Sequence, residues 1–190
     1  MIVFRLGLPA VHLAAAALAC FREAGARTDL SLPEVARQVD LAVLRRAGDE
    51  DFVTAVFIDL DDDGALRIVN CGHPPPLRLT PAGQWLPLTP RVATSPLALS
   101  PALRTDTYRL APEDRLLVCT DGLLEARDGT GDFFPLREYA GLVNTIDPET
   151  ALDTLVEALA RHTGGELDDD VALLLVSGGD TDLRTDRGQG

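Results

Sequence analysis

The stretch Arg115-Leu116-Leu117-Val118-Cys119-Thr120-Asp121-Gly122 constrains this chain more than any other. Pro112-Glu113-Asp114 sets a turn ahead of it. Leu116 to Cys119 carry no charge and read as a strand covered on both faces. The strand stops at an acid followed by a glycine. A carboxylate at the end of a buried strand is held by a rigid element, and the glycine lets the backbone turn sharply beside it. That arrangement suits a hard divalent cation, which prefers carboxylate oxygens and water. Taken alone, Asp-Gly after a strand more often marks a plain turn, which Asp often opens. A second acidic cluster, Asp168-Asp169-Asp170, adds weight to the cation reading. It too abuts an apolar strand, Val171-Ala172-Leu173-Leu174-Leu175-Val176.

Strands of this kind need layers to cover them, and 190 residues favour one domain with a sizeable core. The 46% hydrophobic content is that of a globular chain. A formal net charge of -13 argues against nucleic acid and anionic membranes as partners, since both demand a basic footprint. Cys20, Cys71 and Cys119 all sit in apolar runs without metal-type spacing. They read as reduced, buried thiols of an intracellular protein.

The N-terminus imitates a signal peptide, with Arg5 ahead of an Ala/Leu run and Ala17-Leu18-Ala19-Cys20 resembling a lipoprotein cleavage box. Pro9 and His12 interrupt the run, and Arg22 and Glu23 continue the same helix, so the expected location is cytoplasmic. No stretch reaches the roughly 18 apolar residues of a membrane span.

Along the chain, residues 8–26 read as an alanine-rich helix with Leu13, Ala17, Cys20, Phe21 and Ala24 on one face. Ser31-Leu32-Pro33-Glu34 is a capping box opening a second helix, whose stripe is Leu32, Val35, Val39, Ala42 and Val43 and which Gly48 can close. A central strand over residues 52–60, the turn Asp61-Asp62-Asp63-Gly64 and a return over 66–69 form a hairpin. Asp59, Asp61, Asp63 and Gly64 resemble the start of an EF-hand loop. Asn70 stands at its twelfth position and strands flank it, so a solvated hairpin tip is expected. In Cys71-Gly72-His73-Pro74-Pro75-Pro76, His73 is read as a catalytic acid, a ligand or, preferentially, a residue locked by a backbone hydrogen bond. Residues 81–103 read as loops and short edge strands, and 103–110 as a strand. Asp128-Gly129-Thr130-Gly131-Asp132 is expected as a flexible flap near the site. A short helix lies within 133–143. Asp147 caps another, with Pro148 at its first position, the core stripe Leu152, Leu155, Val156 and Leu159, and Gly164-Gly165 at its end. Residues 177–190 are expected as a disordered tail after a domain ending at 176.

Helix, helix, strands, helix, helix, strand is not the alternation of a parallel doubly wound sheet. It predicts an α+β fold of antiparallel sheets flanked by helices. The predicted core face is Val53, Ala55, Phe57, Leu117, Cys119, Val171 and Leu173.

Five of these segments, in order, resemble the PPM-type metal-dependent serine/threonine protein phosphatases, in their SpoIIE-like bacterial branch. They are Gly7-Leu8-Pro9-Ala10, Phe52-Val53-Thr54-Ala55, Asn70-Cys71-Gly72-His73-Pro74-Pro75-Pro76-Leu77, Thr120-Asp121-Gly122-Leu123-Leu124-Glu125-Ala126-Arg127-Asp128 and Asp169-Asp170-Val171-Ala172-Leu173-Leu174. The resemblance implies a β-sandwich in α-β-β-α layers and a Mg²⁺ or Mn²⁺ centre. It implies hydrolysis of phosphoserine or phosphothreonine by a metal-bound water. By position it makes Asp121 and Asp169 metal ligands, with Gly122, Asp170 and His73 around them, and it gives no side chain the part of nucleophile. Its implied partner is a phosphorylated regulatory protein of the anti-sigma-antagonist kind, and it leaves a dimer open.

The chain departs from the family upstream. Ile2 stands where a metal-binding Asp belongs, and a further acid would precede Met1. The chain is therefore read as N-terminally incomplete, lacking the first strands, with partial or weak metal binding. Two activities stay open beside the phosphatase: a catalytically impaired binding or regulatory module, and a small-molecule phosphoesterase. Asp121 and Asp169 are expected close together at adjacent strand ends.

Overall fold

The computed structural model describes residues 2–5, 11–48, 50–165, 167 and 169–178. The chain opens on one strand, β1 (Ile2–Arg5), ahead of the helices, where the sequence reading expects the first strands to be lacking. Two helices follow, α1 (Val11–Gly25) and α2 (Leu32–Leu44). Glu34 accepts hydrogen bonds from Ser31 N (2.8 Å) and Ser31 Oγ (2.6 Å), fastening the start of α2. Gly48 does not close it. The helix ends at Leu44, and Arg46 and Ala47 N–H groups donate to Val43 O instead.

Six strands come next: β2 (Thr54–Leu60), β3 (Ala65–Cys71), β4 (Leu77–Leu79), β5 (Trp85–Pro87), β6 (Asp106–Arg109) and β7 (Arg115–Cys119). In the β2–β3 hairpin, Gly64 has φ +82°, and a Cβ there would come within 2.3 Å of Leu110 O. The tip acids are engaged within the protein. Arg67 reaches Asp59 Oδ2 at 2.7 Å and Asp61 Oδ2 at 2.9 Å, so this segment is a salt-bridged hairpin end rather than a calcium loop. One helical turn, α3 (Asp121–Leu124), leads on to a 3-10 turn at Leu136–Tyr139 and α4 (Ala140–Thr145), where one short helix was expected. Helix α5 (Pro148–His162) is capped by Asp147, which accepts from Thr150 N at 2.9 Å, and β8 (Leu173–Ser177) closes the fold.

The strands form two antiparallel sheets, ordered β1-β2-β3-β6 and β5-β4-β7-β8. They are stacked with helices outside, the α-β-β-α arrangement that the resemblance implies. Strand alternation sorts the core into three layers. Val53, Ala55 and Phe57 face α1 and α2, meeting Leu13, Ala17, Val39 and Val43. Val56, Ile58, Leu66, Ile68, Leu116 and Val118 fill the space between the sheets. Leu117 and Cys119 face α4 and α5, with Leu155 and Leu159. The predicted single core face is therefore two outer faces, separated by both sheets.

Two further expectations shift. Val156 is 51% exposed, while Ala151, Leu155, Ala158 and Leu159 form the buried stripe of α5, because its small alanines let the helix approach the sheet. Strand β8 buries only Leu175 fully, since it lies at a sheet edge with one neighbour. Its last residue is Ser177, and Gly178 N donates to Asp114 O at 2.9 Å; the rest of the expected tail, 179–190, lies outside the described residues. Among the described residues, no helix is long and apolar enough to cross a membrane.

Candidate functional site

Strand β7 delivers Asp121 to the point where the sheet gives way to α3. Thr120, the residue before it, is 2% exposed and ties this turn to the chain leading into β8. Its Oγ1 donates to Asp170 O (2.9 Å) and accepts from Ala172 N (3.0 Å), and its own N–H donates to Ala172 O (3.1 Å). Gly122 completes the junction. A Cβ there would lie 2.6 Å from Asp170 O and 3.0 Å from Val171 Cγ2. The glycine is thus a requirement of close approach.

Through this junction the two acidic segments meet, although 48 positions separate Asp121 from Asp169. Gly122 and Asp169 line one cavity of about 230 Å³, together with Glu125, Arg127 and Thr163. Asp121 Oδ1 is buried. Asp169 Oδ1 accepts from Asp170 N at 2.8 Å. Asp168 lies outside the described residues.

His73 is 4% exposed and belongs to a closed turn. Asn70, equally buried, accepts from His73 N (3.0 Å) and donates to His73 O (2.8 Å). His73 Nδ1 lies 3.0 Å from Pro74 O. Burial lowers the pKa of this imidazole, against the opposing pulls of the Pro74 carbonyl and the Asp121 carboxylate. It is therefore neutral near pH 7, with Nδ1–H donating to Pro74 O. Its Nε2 is buried and has no hydrogen-bond partner among the described residues. Cys119, one residue upstream of Thr120, has its thiol pushed up to about 12, by burial first and Asp121 second.

The expected flexible flap is a braced loop. Asp128 Oδ1 accepts from Thr130 N (2.8 Å), Thr130 Oγ1 (2.7 Å) and Asp132 N (3.0 Å). These bonds bring the Asp128 pKa down to about 2, the Thr130 hydroxyl contributing most. Arg127 and Phe133 pair across the loop's neck.

Among the described residues, no group of three or more His, Cys, Asp or Glu gathers as a metal site. Asp121 and Asp169 supply the carboxylate oxygens that a hard dication prefers. Sequence reasoning gave Thr120 and Asn70 no part here. The hydroxyl beside the Asp-Gly pair was the available signal for Thr120. Nothing short of the fold signals that Asn70 closes the His73 turn.

Comparisons with known proteins fit this geometry. A family model described as Stage II sporulation protein E (SpoIIE) matches residues 6–178. No curated protein matched. Among solved structures, the RsbU and RsbW domains of Rv1364c from Mycobacterium tuberculosis share 25% identity at a TM-score of 0.69, over 92% of this chain and 51% of that one. The PPM Ser-Thr phosphatase MsPP from Mycobacterium smegmatis shares 24% at 0.68, over 93% and 86%. The PP2C phosphatase domain of SpoIIE from Bacillus subtilis, with a fragment of its regulatory domain, shares 16% at 0.77, over 93% and 53%. This chain thus spans about half the length of the first and third. The last two likenesses carry the fold alone.

Proposed function

The chain belongs to the SpoIIE family, matched over residues 6–178, and on that premise we propose that it is a metal-dependent phosphatase of the PPM serine/threonine type. Its substrate is phosphoserine or phosphothreonine on a regulatory protein of the anti-sigma-antagonist kind. The carrying observation is the Thr120 junction, which sets the Asp121 turn against Asp170 so that Gly122 and Asp169 line one cavity.

Asp121 and Asp169 would hold one Mg²⁺ or Mn²⁺ ion, with Asp170, Gly122 and His73 fixing the surroundings. A bound dication of this kind lowers the pKa of water and polarises a phosphoryl oxygen. The chain's own contribution is positional. Asp121 is carried by a strand buried over four consecutive residues, and its turn is fastened by three hydrogen bonds of Thr120. Neutral His73 adds no charge to compete for the carboxylates. With Ile2 where the family has a metal-binding Asp, occupancy is low and turnover slow.

A second reading, a phosphoprotein-binding module without turnover, is favoured by Ile2 standing where the family has a metal-binding Asp. Hydrolysis of a phosphoserine peptide with and without Mn²⁺ separates the two. Slow Mn²⁺-dependent release of phosphate that Asp121→Ala abolishes supports the phosphatase. Binding of the peptide without release supports the module.

A further inference from the structure

We propose that Arg127 receives the phosphoryl group of the substrate. The inference rests on the phosphatase reading above and supplies the substrate contact that it leaves unnamed. Among the described residues, Arg127 is the one basic side chain lining the cavity that also holds Asp169 and Glu125. In a chain of net charge -13, a phosphate dianion is repelled at long range, so a cation at the point of arrival decides whether it stays.

The guanidinium is held ready. Its carbon lies 3.7 Å from the Phe133 ring centroid, and Nη1 donates to Gly131 O at 2.7 Å. These contacts fix its plane and use one nitrogen. Among the described residues no carboxylate pairs with it, so Nε and Nη2 keep donors for an incoming anion. The fork of an arginine matches two phosphate oxygens at once, which a lysine does not.

The support beneath it is stiff. The Asp128 carboxylate gathers Thr130 and Asp132, and Phe134 N donates to Ala126 O at 2.9 Å. Phe134 stacks on Tyr139 with ring centroids 5.2 Å apart and meets His162 edge-on at 5.6 Å. His162 Nε2 reaches Asp132 O at 3.0 Å. Arg127 is thus pre-positioned at low entropic cost.

The test titrates a phosphoserine peptide and its unphosphorylated form into the full chain in EDTA, and follows Mn²⁺-dependent turnover separately. Arg127→Met keeps an unbranched side chain over Phe133 and removes the charge; Arg127→Lys keeps a point charge. The expected result is a loss of about tenfold in phosphopeptide affinity for Arg127→Met, the low end for a charge-assisted hydrogen bond at an exposed site. Arg127→Lys falls between, and the unphosphorylated peptide and the melting temperature do not change. Phosphopeptide affinity that is unchanged in a folded Arg127→Met overturns the assignment, as does a wild-type chain that fails to distinguish the two peptides. Turnover equal in wild type and Arg127→Met overturns the Arg127 role and leaves the phosphatase standing. Affinity lost in Arg127→Met with no turnover by wild type supports the Arg127 role and removes the phosphatase reading.

Discussion

Gly122→Ala sets two effects of opposite sign against each other. Gly122 lies in α3, where alanine gains about 1 kcal/mol of helix propensity. The added Cβ, however, would sit 2.6 Å from Asp170 O, while ordinary contact begins at 3.4 Å. The obstacle is backbone, so the segment entering β8 must retreat by 3.4 − 2.6 = 0.8 Å. A retreat of that size along the Thr120 Oγ1–Asp170 O bond stretches it from 2.9 Å to about 3.7 Å, beyond hydrogen-bonding range. Losing the bonds of Thr120 costs about 1 kcal/mol each, and overpacking of this kind costs about 1–3 kcal/mol. The clash wins, and a net destabilisation of about 1–3 kcal/mol is expected in urea unfolding, with Mn²⁺ affinity falling alongside. A Gly122→Ala chain that is as stable as wild type and binds Mn²⁺ equally well would refute the claim that this junction holds the Asp121 turn against the segment entering β8.

Other outcomes follow from single residues. Asp128 titrates at about 2. A carboxylate whose pKa is depressed on folding stabilises above its unfolded value and loses that contribution as pH falls, so amide protection at Thr130 and Asp132 should fade between about pH 4 and 2 in hydrogen-exchange NMR. Cys71 and Cys119 are buried with thiols at about 12, whereas Cys20 is partly exposed, so iodoacetamide at pH 8 should label Cys20 alone until the chain unfolds. Val156→Lys on the exposed side of α5 should change stability by no more than about 0.5 kcal/mol, against about 2–5 kcal/mol for Leu155→Ala beside it, both read from urea midpoints.

What the sequence made legible was local. The cap at Asp147, the stripe of α2 and the acid-ended strand β7 were readable because each signal lies within one element. The layer a strand faces was not. Alternation groups Val53, Ala55 and Phe57 together, and Leu117 with Cys119, but whether these groups meet depends on how the two sheets stack. The edge position of β8 was hidden for the same reason, since its run of leucines reads like a strand with two neighbours. Gly48 looked like a helix cap because glycine commonly is one, and here Val43 O is satisfied two residues early. In the site, Asp121 and Asp169 were visible as acids beside apolar strands. The Thr120 bonds that tie the Asp121 turn to the segment entering β8, and the bracing of Asp128 that carries Arg127, come from pairings beyond the reach of local pattern.

Electron paramagnetic resonance of Mn²⁺ titrated into the purified chain tests most directly whether Asp121 and Asp169 hold one ion. One weakly bound Mn²⁺ per chain is predicted, lost in Asp121→Asn and in Asp169→Asn while both variants stay folded. Two ions per chain, or a single ion indifferent to both substitutions, would contradict it.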